Sequence, residues 1–460
     1  MKEVRMRRKP ELDLGFVPLG LWMREYLREA ETPFSIAVER EDGQVAVHET
    51  FVRAGAEDAE ATRYFAERTL KNLLWQKGGF RVYLKGPRDV CESLRRSFAR
   101  GGAREFDAEF MGGIYRRPFS AVLTEGLPPA SERPGTAGWH TEGCRIGLDI
   151  GGSDRKVSAV MDGEVLFSEE TVWQPKAQTD PAYHWEGIVD SLRKAAAALP
   201  RVDAVGVSSA GIFSASRTLY AQLFGKVPQE LFDETIKDIF PKAIREVCGD
   251  VPFSVANDGD ITALTGAIAL GRTNLLGIAL GTSEAAGFID REGRITGWLN
   301  ELAFAPVCAA APGAPVDSWS GDAGCGVSYL SQEAAIRLAP GAGIALREED
   351  PPGARLKHIQ DLLAAGGAEA GAARKVFRSI GCHLGHIAAW YHDMYGADSI
   401  LLLGRVMSGE GGEHILSEAK QALAEDYPEL ALEILLPDEK MRRLGQSVTA
   451  AYLPPLRAEG

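Results

Sequence analysis

The chain alternates between short apolar runs that end in glycine or small polar residues and longer segments with helical spacing of their apolar residues. The first kind is typical of buried strands and the second of amphipathic helices. Residues 33–40 and 45–52 flank a turn at 41–43 and predict a β-hairpin. A helix over 58–75, a strand over 80–86 and a helix over 89–99 are predicted to follow. Residues 1–140 are therefore predicted to form an accessory α/β domain of unknown role.

A segment rich in Pro, Gly, Ser and Thr, residues 127–139, separates this domain from the rest and is predicted to be a linker. Beyond it the chain contains three apolar strands that each run into a turn of glycine and polar residues. In α/β proteins such turns often carry the binding residues. These three turns are the candidate functional segments.

The first of these strands ends in an acid, Asp149, and its turn consists of Gly151, Gly152 and Ser153. Paired glycines let backbone N–H groups approach a ligand closely, which suits phosphate. Lys156 adds a cation, and Asp149 can hold a Mg²⁺ ion through water, because Mg²⁺ takes few carboxylates and several waters. An ordinary hairpin with a Gly-Gly bend is the alternative.

The second strand, predicted from 251 onward, delivers Asn257 and Asp258 to a turn before a helix. In one interpretation these residues only cap the helix and form the turn. The other makes Asp258 a general base and Asn257 a ligand of a substrate hydroxyl, with Asp260 as the helix cap. Gly211, after the strand at 204–209, is interpreted as the floor of a cleft, although a plain tight turn would look the same.

The third strand runs into a turn formed by Gly281, Thr282 and Ser283, followed by a strand, a hairpin and another strand. This order repeats that of the first candidate segment. Two such turns on opposite sides of a cleft would contact a polyphosphate from both sides. The repetition favours the functional interpretation of both turns.

Composition narrows the classes of function. The 460 residues carry a formal net charge of −13, which argues against a general nucleic-acid or membrane-surface binder, since such binding needs a basic field. The basic start has no apolar core behind it, so neither a secretion signal nor a membrane span is expected. Six cysteines without CxxC spacing fit free thiols in a reducing cytoplasm.

From about residue 145 onward the chain resembles sugar kinases of the ROK family (repressors, open reading frames and kinases) in the actin/hexokinase-like ATPase superfamily. The motifs occur in the family's order. They are DIGGS at 149–153, SVANDGDITALTGA at 254–267, LGTS at 280–283, ELAFAPV at 301–307, SWSGDAGCGVSYLSQEAAIRLA at 318–339 and SILLLGRVMSGEGGEHIL at 399–416.

The resemblance implies roles for individual residues. Asp258 would take the proton of the substrate hydroxyl, and Asn257 and Glu301 would hold neighbouring hydroxyls. Asp149 would organise Mg²⁺. Gly281 with Thr282 would contact nucleotide phosphates, and Gly404 would border the adenine.

The resemblance also implies the architecture. An α/β fold is expected, with two ribonuclease H-like subdomains around a cleft. The first subdomain would span 143–262, joined by a C-terminal helix at 438–455, and the second would span 263–437. ATP as co-substrate, Mg²⁺ and a small sugar or polyol are the expected ligands, with no nucleic-acid or membrane partner. Dimerisation is an expectation from the family.

Two departures from the family pattern stand out. ROK kinases commonly hold a structural zinc, and the four matching positions here are Phe304, Ser318, Ser320 and Cys325. One ligand of four is retained, so no structural zinc is expected. In the second phosphate turn Glu284 would repel phosphate unless it faces the metal or the substrate, so the acceptor or the phosphoryl donor could be unusual.

The sequence thus predicts an ATP-dependent kinase of a sugar or polyol hydroxyl. A non-catalytic sugar-sensing protein, as in the repressor branch of the family, is the main rival, although that branch carries an N-terminal helix-turn-helix. A kinase or ATPase with another acceptor or donor is the second rival. Two histidines at 383 and 386 are expected to have a core or helix-face role and not to be metal ligands.

Overall fold

The computed structural model describes residues 4–133, 135–309, 313–438, 441 and 445–456, apart from the side chains of Thr136, Ala137 and Ala368. By its internal contacts the chain divides into two compact units. Unit 1 comprises residues 1–133, 278–286 and 298–436, and unit 2 comprises residues 134–277, 287–297 and 437–460. The predicted domain boundaries at 140, 262 and 437 stay predictions. Residues 1–133 share a unit with 298–436, and 437–460 share one with 143–262.

Within the described residues the strands are β1 (Thr32–Glu39), β2 (Val45–Val52), β3 (Arg81–Lys85), β4 (Ser120–Leu123), β5 (Thr136–Ala137), β6 (Cys144–Ile150), β7 (Asp154–Met161), β8 (Glu164–Val172), β9 (Ala204–Ser209), β10 (Ile212–Ser214), β11 (Arg217–Tyr220), β12 (Phe253–Asn257), β13 (Leu275–Leu280), β14 (Glu284–Ile289), β15 (Arg294–Ile295), β16 (Ser399–Leu403) and β17 (Glu433–Leu435).

In the same described part the α-helices are α1 (Leu19–Leu27), α2 (Ala59–Lys77), α3 (Arg88–Ser97), α4 (Glu105–Tyr115), α5 (Pro181–Ala197), α6 (Gln229–Leu231), α7 (Ile239–Cys248), α8 (Asp258–Leu270), α9 (Gln332–Leu338), α10 (Pro352–Ala365), α11 (Gly367–Tyr395), α12 (Gly409–Asp426) and α13 (Gln446–Ala451).

The main sheet of unit 2 has the strand order β12-β9-β6-β7-β8. Strands β6, β7 and β8 pair antiparallel, while β9 and β12 continue the sheet parallel to β6. Three consecutive antiparallel strands followed by two parallel ones is the ribonuclease H-like arrangement. A second sheet has the order β17-β16-β13-β14-β15-β5. Its strands β13 to β17 follow the same order as β6, β7, β8, β9 and β12 in the first sheet, with β13 in the central place of β6. The predicted α/β class is confirmed.

Strand β6 is buried along its whole length, and its two faces differ in character. Ile146, Leu148 and Ile150 belong to an apolar core that also contains residues of α5 and α7. Because side chains alternate along a strand, Arg145, Gly147 and Asp149 lie on the opposite face. That face is covered by α13.

Helix α13 lies directly on the strands because two glycines leave room for it. A Cβ atom at Gly147 would lie 1.7 Å from the carbonyl oxygen of Ser447, and one at Gly206 would lie 1.7 Å from that of Ala450. Buried Arg145 donates from Nη1 to the carbonyl oxygens of Pro454 at 2.7 Å and Ala451 at 3.3 Å. These contacts hold residues 447–454 against the centre of the sheet.

The N-terminal part of unit 1 is an α/β sheet with the order β2-β1-β3-β4. Strand β1 is antiparallel to β2 and β3, and β4 is parallel to β3. The predicted hairpin is confirmed as β1 and β2. The predicted strand is confirmed as β3, and the two predicted helices are confirmed as α2 and α3. The predicted linker at 127–139 is in part structured, because β5 pairs its backbone with β15.

The long helix α11 carries the two histidines for which a core role was expected. His383 is fully buried between Phe16 and Tyr329, with ring centroids 4.6 and 5.1 Å away. His386 accepts or donates at Nδ1 with the Tyr427 hydroxyl at 3.0 Å. The core role is confirmed. Among the residues that the structure describes, no helix is both long and apolar enough to cross a bilayer.

The contact of α13 with β6 generates a prediction. Gly147→Ala should lower the free energy of unfolding by about 3 kcal/mol, the upper range of overpacking costs, because the new methyl group meets a helix carbonyl and not a flexible side chain. Urea unfolding measures the loss. Gly113→Ala is the control, since a Cβ atom there meets nothing within 4 Å and alanine favours a helix. Equal midpoints for the two variants would contradict the close packing of α13.

Candidate functional site

The carboxyl ends of three parallel strands of unit 2 bring polar residues to one edge of the sheet. Asp149 of β6 is in register with Ser208 of β9, and Ser208 with Ala256 of β12. Asn257 and Asp258 follow at the end of β12. In α/β proteins this edge is the usual place for ligands. The register therefore assembles the first two candidate segments at one edge.

The Asp149 carboxylate is buried, with 9% of the residue exposed, and accepts a hydrogen bond from Ser208 Oγ at 2.9 Å. Burial raises the pKa of this carboxyl to about 6, and the nearby charge of Asp258 adds to the rise. The Ser208 hydroxyl and the Lys156 ammonium group oppose it. Asp149 is thus mostly ionised at neutral pH.

Gln446, the first residue of α13, is a second partner of Asp149. In one of its two orientations, its side-chain amide can form hydrogen bonds to both Asp149 and Thr262. In that orientation the oxygen accepts from Thr262 Oγ1 at 2.5 Å, and the nitrogen donates to the two carboxylate oxygens of Asp149 at 3.1 and 3.2 Å. The C-terminal helix therefore helps to orient the acid of β6.

The predicted phosphate turn lies between β6 and β7. Gly151 N donates to the carbonyl oxygen of Asp154 at 3.0 Å, and Trp173 Nε1 donates to Gly151 O at 2.9 Å. Ser153 is exposed. Lys156 pairs with Asp149 across the strands, and its half-exposed ammonium lies 3.7 Å from Glu170 and 3.9 Å from Asp154. The backbone of the turn is held by these hydrogen bonds, and the Ser153 hydroxyl and the Lys156 ammonium group lie beside it.

Asn257, not Asp260, caps helix α8. Its Oδ1 accepts from Gly259 N at 2.7 Å, and its Nδ2 donates to Gly211 O at 2.7 Å. The prediction that Asp260 is the cap is wrong, because the helix begins two residues earlier at Asp258. Asp260 is instead buried and accepts from Phe288 N at 3.3 Å. Asn257 thus joins the Gly211 turn to the start of α8.

Asp258 is the first residue of α8 and is half-buried. Its Oδ1 accepts from Gly259 N at 3.0 Å. Burial raises the pKa of the Asp258 carboxyl, and the backbone N–H donors of the helix start lower it in part. Among the described residues, no lysine or arginine forms an ion pair with it. A carboxylate in this setting can accept a proton.

The second predicted phosphate turn belongs to unit 1. Thr282 and Ser283 are exposed, whereas Glu284 is 2% exposed and points into the protein. Tyr391 donates from its hydroxyl to Glu284 Oε1 at 2.8 Å. Burial raises the pKa of the Glu284 carboxyl to about 8, with the tyrosine bond acting against the rise.

The expectation that Glu284 repels phosphate unless it faces the metal or the substrate is therefore corrected, because its side chain points into the protein. Strand alternation from the turn onward sends its side chain inward, where burial favours the neutral form of the carboxyl group. Glycine at 326 makes room for it, since a Cβ atom there would lie 2.2 Å from Glu284 Oε2. Within the described residues Oε2 has no hydrogen-bond partner.

Gly404 and Glu301 are the two other predicted site residues of unit 1. Gly404 lies beside this turn, and Glu301 follows it in the chain. Gly404, after β16, is so close to β13 that a Cβ atom would lie 2.3 Å from Leu280 O, next to Gly281. Glu301 is half-buried, and its backbone N donates to Trp75 O at 3.0 Å. Gly281 O accepts from Gln332 N at 2.9 Å.

The four positions that match the family's zinc ligands also lie in unit 1. Phe304 packs against Trp75 and Trp319, with ring centroids 4.7 and 4.9 Å away. Ser320 Oγ donates to Asp317, and Cys325 is buried as a free thiol. Among the described residues, no group of three or more His, Cys, Asp or Glu could hold a metal ion.

Three residues of these arrangements escaped the sequence interpretation. Ser208 could have been found, since a parallel pairing of the apolar strand at 204–209 with the strand of Asp149 places it beside that acid. Gln446 and Tyr391 had no local sequence pattern, because each lies on a helix far along the chain from the acid that it contacts.

No protein-family model and no curated protein matches the chain. Solved structures do. A ROK hexokinase from Thermus thermophilus matches with a TM-score of 0.51 and 18% identity, over 68% of this chain and 98% of that chain. The chain shares the ROK fold. A ROK family transcriptional regulator, a homologue of the Escherichia coli MLC protein, matches with a TM-score of 0.51 and 16% identity, over 79% of this chain and 88% of that chain.

The match to the hexokinase leaves about a third of this chain uncovered. That share is large enough to contain the N-terminal sheet and its helices. At such identities the likeness establishes the fold and not the activity.

The contact between Ser208 and Asp149 generates the second prediction. Ser208→Ala should raise the pKa of Asp149 by about one unit, because the lost hydrogen bond favoured the charged form. Carboxyl ¹³C NMR titration of the labelled protein measures it. Ser209→Ala is the matched control, since that neighbouring hydroxyl donates to Ile150 O. If both variants shift the pKa equally, the Ser208 contact is not the cause.

The buried acid of the second turn generates the third prediction. Its folded-state pKa of about 8 lies above that of an unfolded glutamate, so the wild-type free energy of unfolding falls as pH rises from about 4.5 to about 8. Glu284→Gln should abolish that fall, which amounts to several kcal/mol at about 1.4 kcal/mol per pKa unit. Urea unfolding at several pH values measures both proteins.

Tyr391→Phe is the companion variant for Glu284. It removes the tyrosine hydrogen bond that favours the charged carboxylate, so the pH range of the fall should move upward. A wild-type protein and a Glu284→Gln variant with parallel pH profiles would show that the carboxyl group is ionised in the folded protein.

Proposed function

We propose that the chain transfers the γ-phosphoryl group of ATP to a hydroxyl of a sugar or sugar-like polyol, with Mg²⁺. The observation that carries this proposal is Asp258. It is a half-buried carboxylate at the edge of a ribonuclease H-like sheet, it has a raised pKa, and no cation pairs with it among the described residues. The ROK fold of the chain supports the proposal.

In the proposed reaction the acceptor hydroxyl oxygen forms a bond to the γ-phosphorus, and its proton passes to the Asp258 carboxylate. The bond between the γ-phosphorus and the bridging oxygen breaks, and ADP leaves. A carboxylate suits this role because it accepts a proton without competing as a donor. The raised pKa brings it closer to neutral pH, where proton acceptance is most effective.

Asp149 fits a Mg²⁺ ion that arrives with the nucleotide. It offers one ionised carboxylate, oriented by Ser208 and Gln446, and Mg²⁺ usually takes one or two carboxylates, water and phosphate oxygens. Such an ion would neutralise charge on the phosphates. Gly151, Gly152, Ser153 and Lys156 are proposed to contact phosphate oxygens near it.

The remaining proposed contacts follow from the resemblance. In unit 1 Gly281, Thr282 and Ser283 would contact nucleotide phosphates, and Gly404 would border the adenine. Glu301 would hold an acceptor hydroxyl. In unit 2 Asn257 would lie beside the acceptor, with its amide fixed by Gly211 and the start of α8. Because the Glu284 side chain is buried and burial favours its neutral form, its position does not argue against ATP as the donor.

A non-catalytic sugar sensor is the second candidate, since one of the matched structures is a ROK transcriptional regulator. The N-terminal four-stranded sheet argues against a DNA-binding module of the helix-turn-helix kind. Homodimerisation and a cytoplasmic location are proposed from the resemblance and from the free thiols alone.

The fourth prediction tests the base. Asp258→Asn should reduce acceptor-dependent ADP release from Mg-ATP by at least about a hundredfold, the range of general base catalysis. Coupled ADP release is measured across hexoses, amino sugars and inositols. Asp190→Asn is the control, because it removes a surface charge paired with Arg155 and Lys194 in the same unit.

Two results would overturn the kinase proposal. Retention of activity by Asp258→Asn would remove the assigned base. If no acceptor stimulates wild-type ADP release, yet a sugar raises its melting temperature, the sensor takes the place of the kinase.

A further inference from the structure

Six charged side chains form a closed cluster inside unit 1. Three are cations and three are acids, so their formal charges cancel. They are Arg68, Lys71, Arg104, Glu67, Asp107 and Asp322. Five of them come from α2, α4 and the residue before α4, whereas Asp322 is more than two hundred residues away in the chain.

Asp322 is the centre of this cluster. Its carboxylate lies 2.7 Å from Arg68 Nη1, 2.6 Å from Lys71 Nζ and 2.7 Å from Arg104 Nη1. The residue is 5% exposed. Burial alone would raise the pKa of this carboxyl, but the three cations outweigh burial and hold that pKa well below its usual range.

The loop of Asp322 is joined to the segment that contains Glu301. Val307 N donates to Gly324 O at 2.8 Å, and Gly326 N donates to Ala305 O at 3.0 Å. These backbone hydrogen bonds join the segment 305–307 to the segment 324–326. A displacement of Asp322 would therefore be transmitted to residues 301–307.

Helix α2 also contacts the Glu301 segment directly at its C-terminal end. Asn300 N and Glu301 N donate to the carbonyl oxygens of Gln76 and Trp75, both at 3.0 Å. The Trp75 ring packs against Phe304 with centroids 4.7 Å apart. One helix of the N-terminal domain thus holds the segment through its last carbonyls and through the charge cluster around Asp322.

We propose that the N-terminal domain is a structural part of the acceptor site: α2, through Asp322 and through its last carbonyl groups, sets the position of Glu301. Asp322 is then a positioning residue and not a catalytic one. This inference rests on the proposed function insofar as Glu301 binds the acceptor. It gives a role to helix α2 and, through it, to the N-terminal sheet on which α2 packs.

The test compares sugar binding with nucleotide binding in the full chain. Glucose, mannose, glucosamine and myo-inositol are titrated by calorimetry, and ADP is titrated separately. Asp322→Asn should weaken binding of the preferred compound about tenfold or more, as small displacements of positioning groups do. ADP affinity should stay within about twofold. Asp42→Asn, which breaks an exposed ion pair with Arg133, should change neither.

Loss of one partner of a buried pair can unfold a protein, so a second pair of variants accompanies Asp322→Asn. Arg104→Gln removes one of the three cations and should show the same split to a smaller extent, whereas Arg104→Lys keeps the charge and should restore sugar affinity. A lower melting temperature with unchanged sugar affinity in the folded variants would overturn the inference.

The outcomes also separate this inference from the proposed function. If the wild type binds one of the compounds but transfers no phosphoryl group to it, the kinase proposal fails, and the affinity split still decides the role of Asp322. If the wild type binds none of the four compounds, both fail.

Discussion

The parallel register of β6, β9 and β12 is the constraint on which the candidate site depends. It places the Asp149 carboxylate beside Ser208 and brings Asn257 and Asp258 to the same edge. The register alone does not orient Asp149, because its face of the sheet must also be closed. Helix α13 closes it, and it can do so only because Gly147 and Gly206 have no side chains.

Three buried carboxyl groups of the described part of the chain lie in different environments, and each environment favours a different protonation state. Asp322 is surrounded by cations and stays ionised. Among the described residues Glu284 meets a tyrosine hydroxyl and no cation, so its neutral form is favoured at pH 7. Asp149 lies between these cases, with two neutral donors and a distant lysine. The neighbours, and not burial alone, decide which acid can serve a metal or a proton.

Much of the fold could be predicted from the sequence, since local patterns determine it. The hairpin of β1 and β2, the strand that contains Asp149 and the two glycine turns all follow from apolar runs and turn residues. The helix start at Asp258 was placed two residues late, because Asn257 and Asp260 are equally good caps by residue type. The inward direction of Glu284 and the partners Gln446 and Tyr391 depend on tertiary packing, which no local pattern contains.

The central claim is that phosphoryl transfer goes to a hydroxyl and not to water. ³¹P NMR of Mg-ATP incubated with the protein and each candidate sugar tests it most directly, because it identifies the phosphorylated product. The account predicts a phosphomonoester resonance that grows together with ADP for at least one sugar or polyol. ADP accompanied only by inorganic phosphate, or no turnover with any acceptor, would contradict it.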